Sequence, residues 1–177
     1  MKALYLLLEE AETVNAKLPL LMLTKKTNEE MLYHSLRLVR DALRACDKPM
    51  QRAKVSVLGV SCHPNVKESR GSIVKKLVRL ISKKGMLVRV YDPLFSFKEL
   101  TAMGYPAERT LRKTIEGADC LLVTVGHDQF KRLKLKKIKF LAKKGVAIVD
   151  MAHVINPVKA EREGFVYRGV GRGIWTK

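Results

Sequence analysis

Lys54-Val-Ser-Val-Leu-Gly-Val-Ser-Cys-His-Pro-Asn-Val-Lys-Glu-Ser-Arg-Gly-Ser-Ile73 is the stretch that decides the fold of this chain. Its first residues form a short β-branched apolar run, which is typical of a fully buried parallel strand. Gly59 lets the backbone leave the sheet in a tight turn, and Pro64-Asn65 indicates a loop. The amphipathic run from Ile73 onward predicts a helix. Strand, glycine turn, loop and helix form the first half of a βαβ unit, and ligands of open α/β sheets bind at such a loop.

The rest of the chain repeats this alternation of strand and helix. Further strands are predicted at 86–91, 120–125, 146–149 and 164–170, with helical patterns between them. Helical crossovers between strands indicate a parallel sheet, because only a long connection returns the chain to the same edge. The predicted fold class is α/β: a Rossmann-like, doubly wound parallel sheet over 49–177, preceded by a long helical segment over 1–48.

The helical segment carries a wide apolar stripe. Met31, Ser35, Leu38, Ala42 and Cys46 recur at three-to-four spacing, which places them on one face of a helix. A stripe outside a compact domain must be covered, and a second copy of the chain would cover it economically. The alternative is that the stripe packs on the neighbouring domain. We favour a homodimer through residues 20–46, with a polar connector over 47–52 as the domain boundary.

The charge balance is strongly basic. The chain has 35 Lys and Arg against 17 Asp and Glu, a net charge of +18, which attracts polyanions or phosphorylated ligands. The lysines are spread over most predicted helices and are dense at 131–144, yet few aromatic residues interleave with them as base-stacking platforms. We interpret this as a lysine-rich solvated surface and do not expect nucleic acid as a partner.

Apolar runs and cysteine spacing limit the class of protein further. No apolar run approaches the roughly 20 residues that span a bilayer, so no membrane association is predicted. The three cysteines are widely spaced and lack a metal-ligand pattern. This predicts a cytoplasmic protein without disulfides, and neither the cysteines nor the four histidines predict a metal site.

Polar side chains fall at the carboxyl ends of several predicted strands, so they should meet at one edge of the sheet. Asp92 could accept hydrogen bonds from ribose hydroxyls, or could only end a strand and begin a turn; the second interpretation is favoured. The lone Gly59 is not a G-x-G-x-x-G fingerprint for a dinucleotide. No third group orients the Cys62-His63 pair, so a thiol nucleophile is not predicted. The residues expected at this edge are Cys62, His63, Asp92, His127, Asp128, His153 and Arg172.

Collinear motifs resemble those of the UDP-glucose/GDP-mannose dehydrogenase family. Val57–Ser72 resembles the family's L-G-L-A-F-K-P-N-T-D-D-x-R-E-S, and Val88–Pro93 resembles its V-x-V-Y-D-P. Ala118–Phe130 is similar to A-D-A-V-V-I-A-T-x-H-x-x-F, and Leu20–Leu43 resembles the end of the central dimerisation helix. The remaining matches follow in the family's order: Ile148–Asp150, Asn156-Pro157 and Gly164–Gly173.

The resemblance implies the carboxy-terminal half of a nucleotide-sugar 6-dehydrogenase, which uses NAD to oxidise an alcohol to a carboxylate in two steps. The tail is most similar to members that act on UDP-N-acetyl-mannosamine or UDP-N-acetyl-glucosamine. The family's NAD-binding domain and catalytic cysteine segment are not in this sequence. A split or truncated gene product is therefore expected, with no catalytic residue in this chain.

On this resemblance the chain should bind a UDP-sugar at most and turn nothing over, and NAD is not expected to bind it alone. Its expected partners are a second copy of itself and a separately encoded NAD-binding half. The alternative function is a basic, dimeric α/β module that binds a partner protein or nucleic acid.

The residues and the resemblance together give five candidate binding residues. His63, Lys67, His153 and Arg172 are candidates for substrate binding, and Arg70 matches the motif arginine that faces the cofactor cleft. No residue is assigned to a metal.

The chain also departs from the family pattern. The motif lysine that reaches the nucleotide-sugar is His63, the acidic pair is Lys67-Glu68, and the arginine expected two residues after Asp150 is Ala152. A histidine that is neutral over much of the physiological pH range replaces a fixed cation. These changes should weaken binding of a pyrophosphate, so a decayed or repurposed site is a serious alternative.

Overall fold

The computed structural model describes residues 2–172, with side chains from Leu4 onward. Gly173 and the rest of the predicted domain to residue 177 lie outside the described residues. Five parallel strands form one sheet in the order β2-β1-β3-β4-β5. The strands are β1 Lys54–Leu58, β2 Leu87–Tyr91, β3 Cys120–Val123, β4 Ala147–Asp150 and β5 Val166–Gly169. The helices are α1 Lys2–Thr13, α2 Pro19–Arg44, α3 Val74–Lys83, α4 Phe97–Ala102, α5 Leu111–Ile115, α6 Asp128–Lys131, α7 Leu135–Leu141 and α8 Pro157–Arg162.

The sheet is covered on both faces, which confirms the doubly wound α/β prediction. Alternate strand residues point to opposite faces, because the side-chain period of a strand is two. Val55 and Val57 of β1 pack with α2 and α3, whereas Leu58 packs with α5, α7 and α8 on the other face. Each face therefore has its own hydrophobic core, and the strands between them are almost continuously apolar.

The apolar stripe of α2 divides into two parts. Val39, Ala42 and Leu43 are fully buried in the core cluster that α3 and the sheet form, so this part packs on the chain's own domain, as the alternative interpretation held. Towards its N-terminus α2 contacts α1 and leaves large apolar side chains open, with Leu20 74% and Leu23 59% exposed. The amino-terminal part of α2 thus exposes apolar side chains, whereas its carboxy-terminal part buries them.

Element boundaries differ from the predicted ones where side chains intervene. The helical pattern between the second and third strands gives a helix that begins only after Thr110, whose hydroxyl accepts a hydrogen bond from the Lys113 N–H. Before it, Ala107 bridges to Val90 beside the edge strand β2. The strand predicted over 120–125 ends at Val123, because the Thr124 hydroxyl bonds the carbonyls at the end of β1. In the described residues no helix is long and apolar enough to cross a membrane.

Candidate functional site

A cleft of about 780 Å³ lies at the carboxyl ends of β1, β3 and β4. After β1 the chain moves to β2 on one side of it, and then returns to β3 on the other side. Ligands of open α/β sheets bind at such a reversal, because the loops diverge there and leave a crevice. The cleft is lined by 61–64, 70–74, 124–126 and 152–154, together with Glu68 and Lys131.

The N-terminus of α3 opens into this cleft. Ser72, Ile73 and Val74 line it. The helix begins at Val74, and its Ncap residue, Ile73, makes no side-chain capping hydrogen bond. The Ser72 hydroxyl accepts a 3.3 Å hydrogen bond from the Val74 N–H. The Ser72 N–H donates to the Ser69 carbonyl, so an anion would be favoured here by the N–H groups of the first turn beyond Val74 and by the positive end of the helix dipole. By contrast, α4, α5 and α8 are each capped by a side chain: Ser96, Thr110 and Asn156.

Basic side chains surround the same opening. His63 and His153 are exposed on the two sides of the cleft, and neither imidazole makes a hydrogen bond within residues 2–172. The Arg70 guanidinium bonds the Glu68 carboxylate at 2.9 Å, which raises the pKa of Arg70 and keeps it charged. Lys131 pairs with Asp128 at 2.9 Å through exposed side chains. These weak surface pairs can open to admit a stronger anion.

The loop that carries His63 is fixed from below by two buried side chains. Asp92 ends β2, and its Oδ2 accepts hydrogen bonds from the Val60 N–H at 2.7 Å and from the Ser61 N–H at 3.2 Å. His127 Nε2 lies 3.2 Å from the same oxygen, while His127 Nδ1 accepts from the Asn65 N–H at 3.0 Å. Since Nδ1 accepts, Nε2 carries the proton and donates to Asp92. Asp92 therefore serves the fold and is not free to hold a ribose.

Asp150 fixes the opposite side of the cleft in the same way. Its Oδ2 accepts from the Ile155 N–H at 2.8 Å and from the Tyr167 hydroxyl at 3.2 Å, and its Oδ1 accepts from the Ala152 N–H. Burial, together with the Asp150 charge, raises the pKa of Tyr167 and keeps its phenol protonated. This network holds the loop on which His153 adopts a left-handed backbone with φ 54°.

Two of the predicted substrate-binding residues lie elsewhere. The Lys67 ammonium is 2.6 Å from Glu99 and lies over the Phe95 ring, so the loop turns it away from the cleft. The pair with Lys67, helped by Ser96, lowers the pKa of Glu99 to about 2. Arg172 pairs with Glu161 at 3.0 Å. The cleft thus brings together His63, Arg70 and His153, but neither Lys67 nor Arg172 lines it.

Sequence reasoning did not find Lys131 or the Ser72–Val74 backbone as members of the cleft. Lys131 lies in a dense lysine run, where nothing in the sequence separates it from its neighbours. It lies in the first turn of α6, three residues after Asp128, and so stays close to the end of β3. The helix start was predicted near Ser72, but a missing side-chain cap is visible only in the structure.

The residues present do not fit a dinucleotide or a metal. Gly59 has φ 103°, and a Cβ there would lie 2.8 Å from Val125 Cβ, so its glycine serves packing against the next loop. Asp92, the strand-end acid that could hold a ribose, already accepts hydrogen bonds from the Val60 and Ser61 N–H groups and from His127. Burial raises the pKa of the Cys62 thiol, which donates to the Arg70 carbonyl, and an unreactive thiol results. No group of three or more metal-binding side chains is found among the described residues.

The fold and the cleft define a class: an α/β domain with an open cleft, bordered by basic side chains, at the switch point of a parallel sheet. Comparison with known proteins assigns the chain to a family. Residues 56–157 match the UDP-glucose/GDP-mannose dehydrogenase family, UDP binding domain, and the chain belongs to this family.

Individual relatives agree with this assignment. The chain is 28% identical over 169 residues to UDP-N-acetyl-D-mannosamine dehydrogenase of Pyrococcus horikoshii, covering 96% of this chain and 37% of that protein. The Methanococcus vannielii enzyme of the same name is 26% identical over 166 residues, with 93% and 36% covered. A crystal structure of NDP-N-acetyl-D-galactosaminuronic acid dehydrogenase from Methanosarcina mazei superposes with a TM-score of 0.84 at 28% identity, covering 95% of this chain and 36% of that one. The chain thus spans little more than a third of the relatives it matches.

Proposed function

We propose that this chain is the nucleotide-sugar-binding part of an NAD-dependent UDP-sugar 6-dehydrogenase, with a UDP-N-acetylhexosamine of the mannosamine or glucosamine type as its ligand. The cleft at the ends of β1, β3 and β4 would hold the diphosphate. The observation that carries the proposal is the N-terminus of α3, whose Ncap residue Ile73 provides no capping side chain. This helix end opens into a cleft bordered by His63, Arg70, Lys131 and His153.

The geometry suggests how the diphosphate would be bound. Backbone N–H groups at the start of α3 would donate to one phosphate, as helix N-termini do in nucleotide-binding folds. His63 and Lys131 approach from the loops after β1 and β3 and would balance the second charge. His153, on the loop after β4, is placed to contact the sugar side of the ligand. A neutral His63 would still donate a hydrogen bond, but it would bind the phosphate more weakly than a lysine would.

The cofactor is proposed to be held elsewhere. NAD supplies the hydride acceptor in the family. The buried Asp92 and the single Gly59 support the proposal that the dinucleotide is not held by this chain. Arg70 has a side chain 78% exposed at the rim, from which it could reach a cofactor held by another domain. The chain alone is therefore proposed to bind UDP-sugar without turnover, and a cytoplasmic partner with the NAD-binding half would complete the enzyme.

A homodimer through the amino-terminal half of α2 is also proposed. Leu20 and Leu23 are exposed on α2, and Leu6 is 59% exposed on the neighbouring α1. Light scattering should give twice the monomer mass for wild type, and Leu20→Asn with Leu23→Asn should give a monomer. If the wild-type chain has the mass of a monomer in solution, the dimer proposal is wrong.

The binding proposal is tested by calorimetric titration of the pure chain with UDP-N-acetyl-mannosamine, UDP-N-acetyl-glucosamine, UDP and uridine. We expect the diphosphates to bind saturably at one site per chain, with uridine much weaker because it lacks the phosphates. At a hundredfold its dissociation constant, a ligand should stabilise the fold by about 2.7 kcal/mol. Uridine binding as tightly as UDP would contradict a phosphate site.

Two variants inside the cleft and one control outside it test the location of the UDP site. His63→Ala should weaken UDP binding about fivefold, the value of one ordinary hydrogen bond, and Lys131→Ala about tenfold. Lys67→Ala removes a cation from the same loop but outside the cleft, and it should leave UDP affinity unchanged. If Lys67→Ala weakens binding while His63→Ala does not, the sequence prediction of Lys67 as a ligand contact is right and the cleft assignment is wrong.

A further inference from the structure

The surface formed by α6, α7 and their flanking turns carries many cations and no acids after Asp128. Between Asp128 and Asp150 the sequence contains no Asp or Glu. Such a segment has no local counter-charge, so its field extends into solvent. The cations within it are Lys131, Arg132, Lys134, Lys136, Lys137, Lys139, Lys143 and Lys144.

Only part of this charge is neutralised by the fold. Lys131 pairs with Asp128, Lys143 pairs with Asp119, and Lys139 donates to the Glu163 carbonyl. Two of the nearby carboxylates are engaged, since Asp119 also pairs with Lys48 and Glu161 pairs with Arg172. Glu163 lines a groove with Lys134, Lys136 and Lys137 and is one acid against these three cations. In the part of the chain that the structure describes, five cations of the segment have no hydrogen bond or ion pair: Arg132, Lys134, Lys136, Lys137 and Lys144.

An aromatic side chain stands among these free cations. Phe140 is 87% exposed, more than any other large apolar residue of the described chain, although Ile138 on the same helix is fully buried. Lys136 and Lys137 precede Phe140 by four and three residues in α7, so they share its face. Two grooves flank this helix, and Lys134 and Lys137 line both of them. Phe140 lines neither groove and therefore projects from the convex surface.

We propose that this basic face binds the surface of an anionic lipid bilayer, with Phe140 inserted at the headgroup level and the free lysines against lipid phosphates. Polybasic clusters with an exposed aromatic residue bind anionic membranes in this way, without spanning them. The same face of a second copy is disfavoured as the partner, because it would bring two acid-free lysine-rich segments against each other. Single-stranded nucleic acid needs a series of stacking platforms, whereas α7 exposes one aromatic on a convex surface. This inference does not depend on UDP-sugar binding.

Vesicle co-sedimentation of the full chain tests the proposal. We expect binding to phosphatidylcholine vesicles that contain phosphatidylglycerol, little binding to phosphatidylcholine alone, and release by salt. Replacing Lys136, Lys137 and Lys144 by Gln should weaken binding about 100-fold, since each lysine near an anionic surface contributes about fivefold. Phe140→Ala should weaken it roughly tenfold at unchanged charge.

The matched control replaces Lys83, Lys84 and Lys98 by Gln, which removes the same charge from exposed positions near the end of α3 and on α4. This control should keep most of the binding. Equal loss in both triple variants would overturn the proposal in favour of a non-specific field, and equal binding to neutral vesicles would also overturn it. If a single-stranded oligonucleotide binds more tightly than the vesicles and Phe140→Ala weakens it, the face is a nucleic-acid surface instead. UDP titration of every variant checks that the cleft is intact.

Discussion

Two sets of polar side chains lie side by side at the carboxyl edge of the sheet, and they differ in what they bind. Asp92, His127 and Asp150 are fully buried, and their hydrogen bonds all go to the chain itself. His63 and His153 are exposed at the cleft, and neither imidazole makes a hydrogen bond in the described chain. The difference separates scaffold from binding surface: a strand-end acid can be indispensable to a site without touching its ligand.

The largest expected effect is on the scaffold. Asp92→Ala would leave the Val60 and Ser61 N–H groups and the His127 imidazole buried without their acceptor. Breaking a buried, hydrogen-bonded network by removing one partner costs about 3 to 5 kcal/mol. Urea unfolding should show this loss. Asp128→Ala, which removes an exposed acid beside His127, is the control and should leave the midpoint close to wild type.

The next effect connects the two sets. His127→Gln keeps a polar side chain but cannot reach Asn65 and Asp92 together, so the loop carrying His63 should loosen. We expect a loss of stability of about 1 to 3 kcal/mol, the cost of unsatisfied buried groups, together with weaker UDP binding. Full UDP affinity in a variant that remains folded would show that the loop is positioned without His127.

A change on the binding surface should affect UDP affinity and not stability. His63→Ala is expected to weaken UDP binding, yet to change the free energy of unfolding by less than about 0.5 kcal/mol, because exposed side chains without partners contribute little. Calorimetry and urea unfolding on the same preparation measure both quantities. A clear loss of stability in His63→Ala would remove the distinction between scaffold and surface at this residue.

The smallest effect is a pH dependence at the opposite end of the sheet. Burial acts to raise the pKa of Asp119, but the Lys54 N–H, Lys143 and Lys48 outweigh it and lower that pKa below its usual 3.8. A carboxylate with a lowered folded-state pKa stabilises the protein above its unfolded pKa, and this stability is lost as the pH falls through the folded value. The thermal midpoint of wild type should therefore decrease as the pH is lowered below about 4. Asp119→Asn should flatten that fall, and an identical acid profile would contradict the ion-pair account.

The sequence was most informative where periodicity and backbone chemistry decide structure. All five strands and the doubly wound class are confirmed, because β-branched runs and turn residues act locally. The partner of the α2 stripe was not fixed by the sequence, since a second copy and the chain's own sheet offer the same apolar contact. Val39 and Leu43 pack on the sheet, and their spacing alone does not show this.

The sequence predicts where the cleft lies, but it identifies only some of the residues that line it. Strand-end positions correctly brought His63 and His153 to one edge, because parallel strands all end there. Lys67 was predicted as a contact, and its pair with Glu99 depends on a tertiary approach that no spacing encodes. Asp92 could be interpreted in two ways, and its burial supports the structural one.

The most direct test of the central claim is amide NMR during a UDP titration. A diphosphate at the N-terminus of α3 should shift the backbone N–H resonances of Ser72, Ile73, Val74 and Lys75 most, with smaller shifts at His63 and His153. The capped N-termini at Ser96, Thr110 and Asn156 provide internal controls and should stay unchanged. Shifts that leave residues 72–75 unaffected, or that cluster on another surface, would contradict the assignment of this cleft as the nucleotide-sugar site.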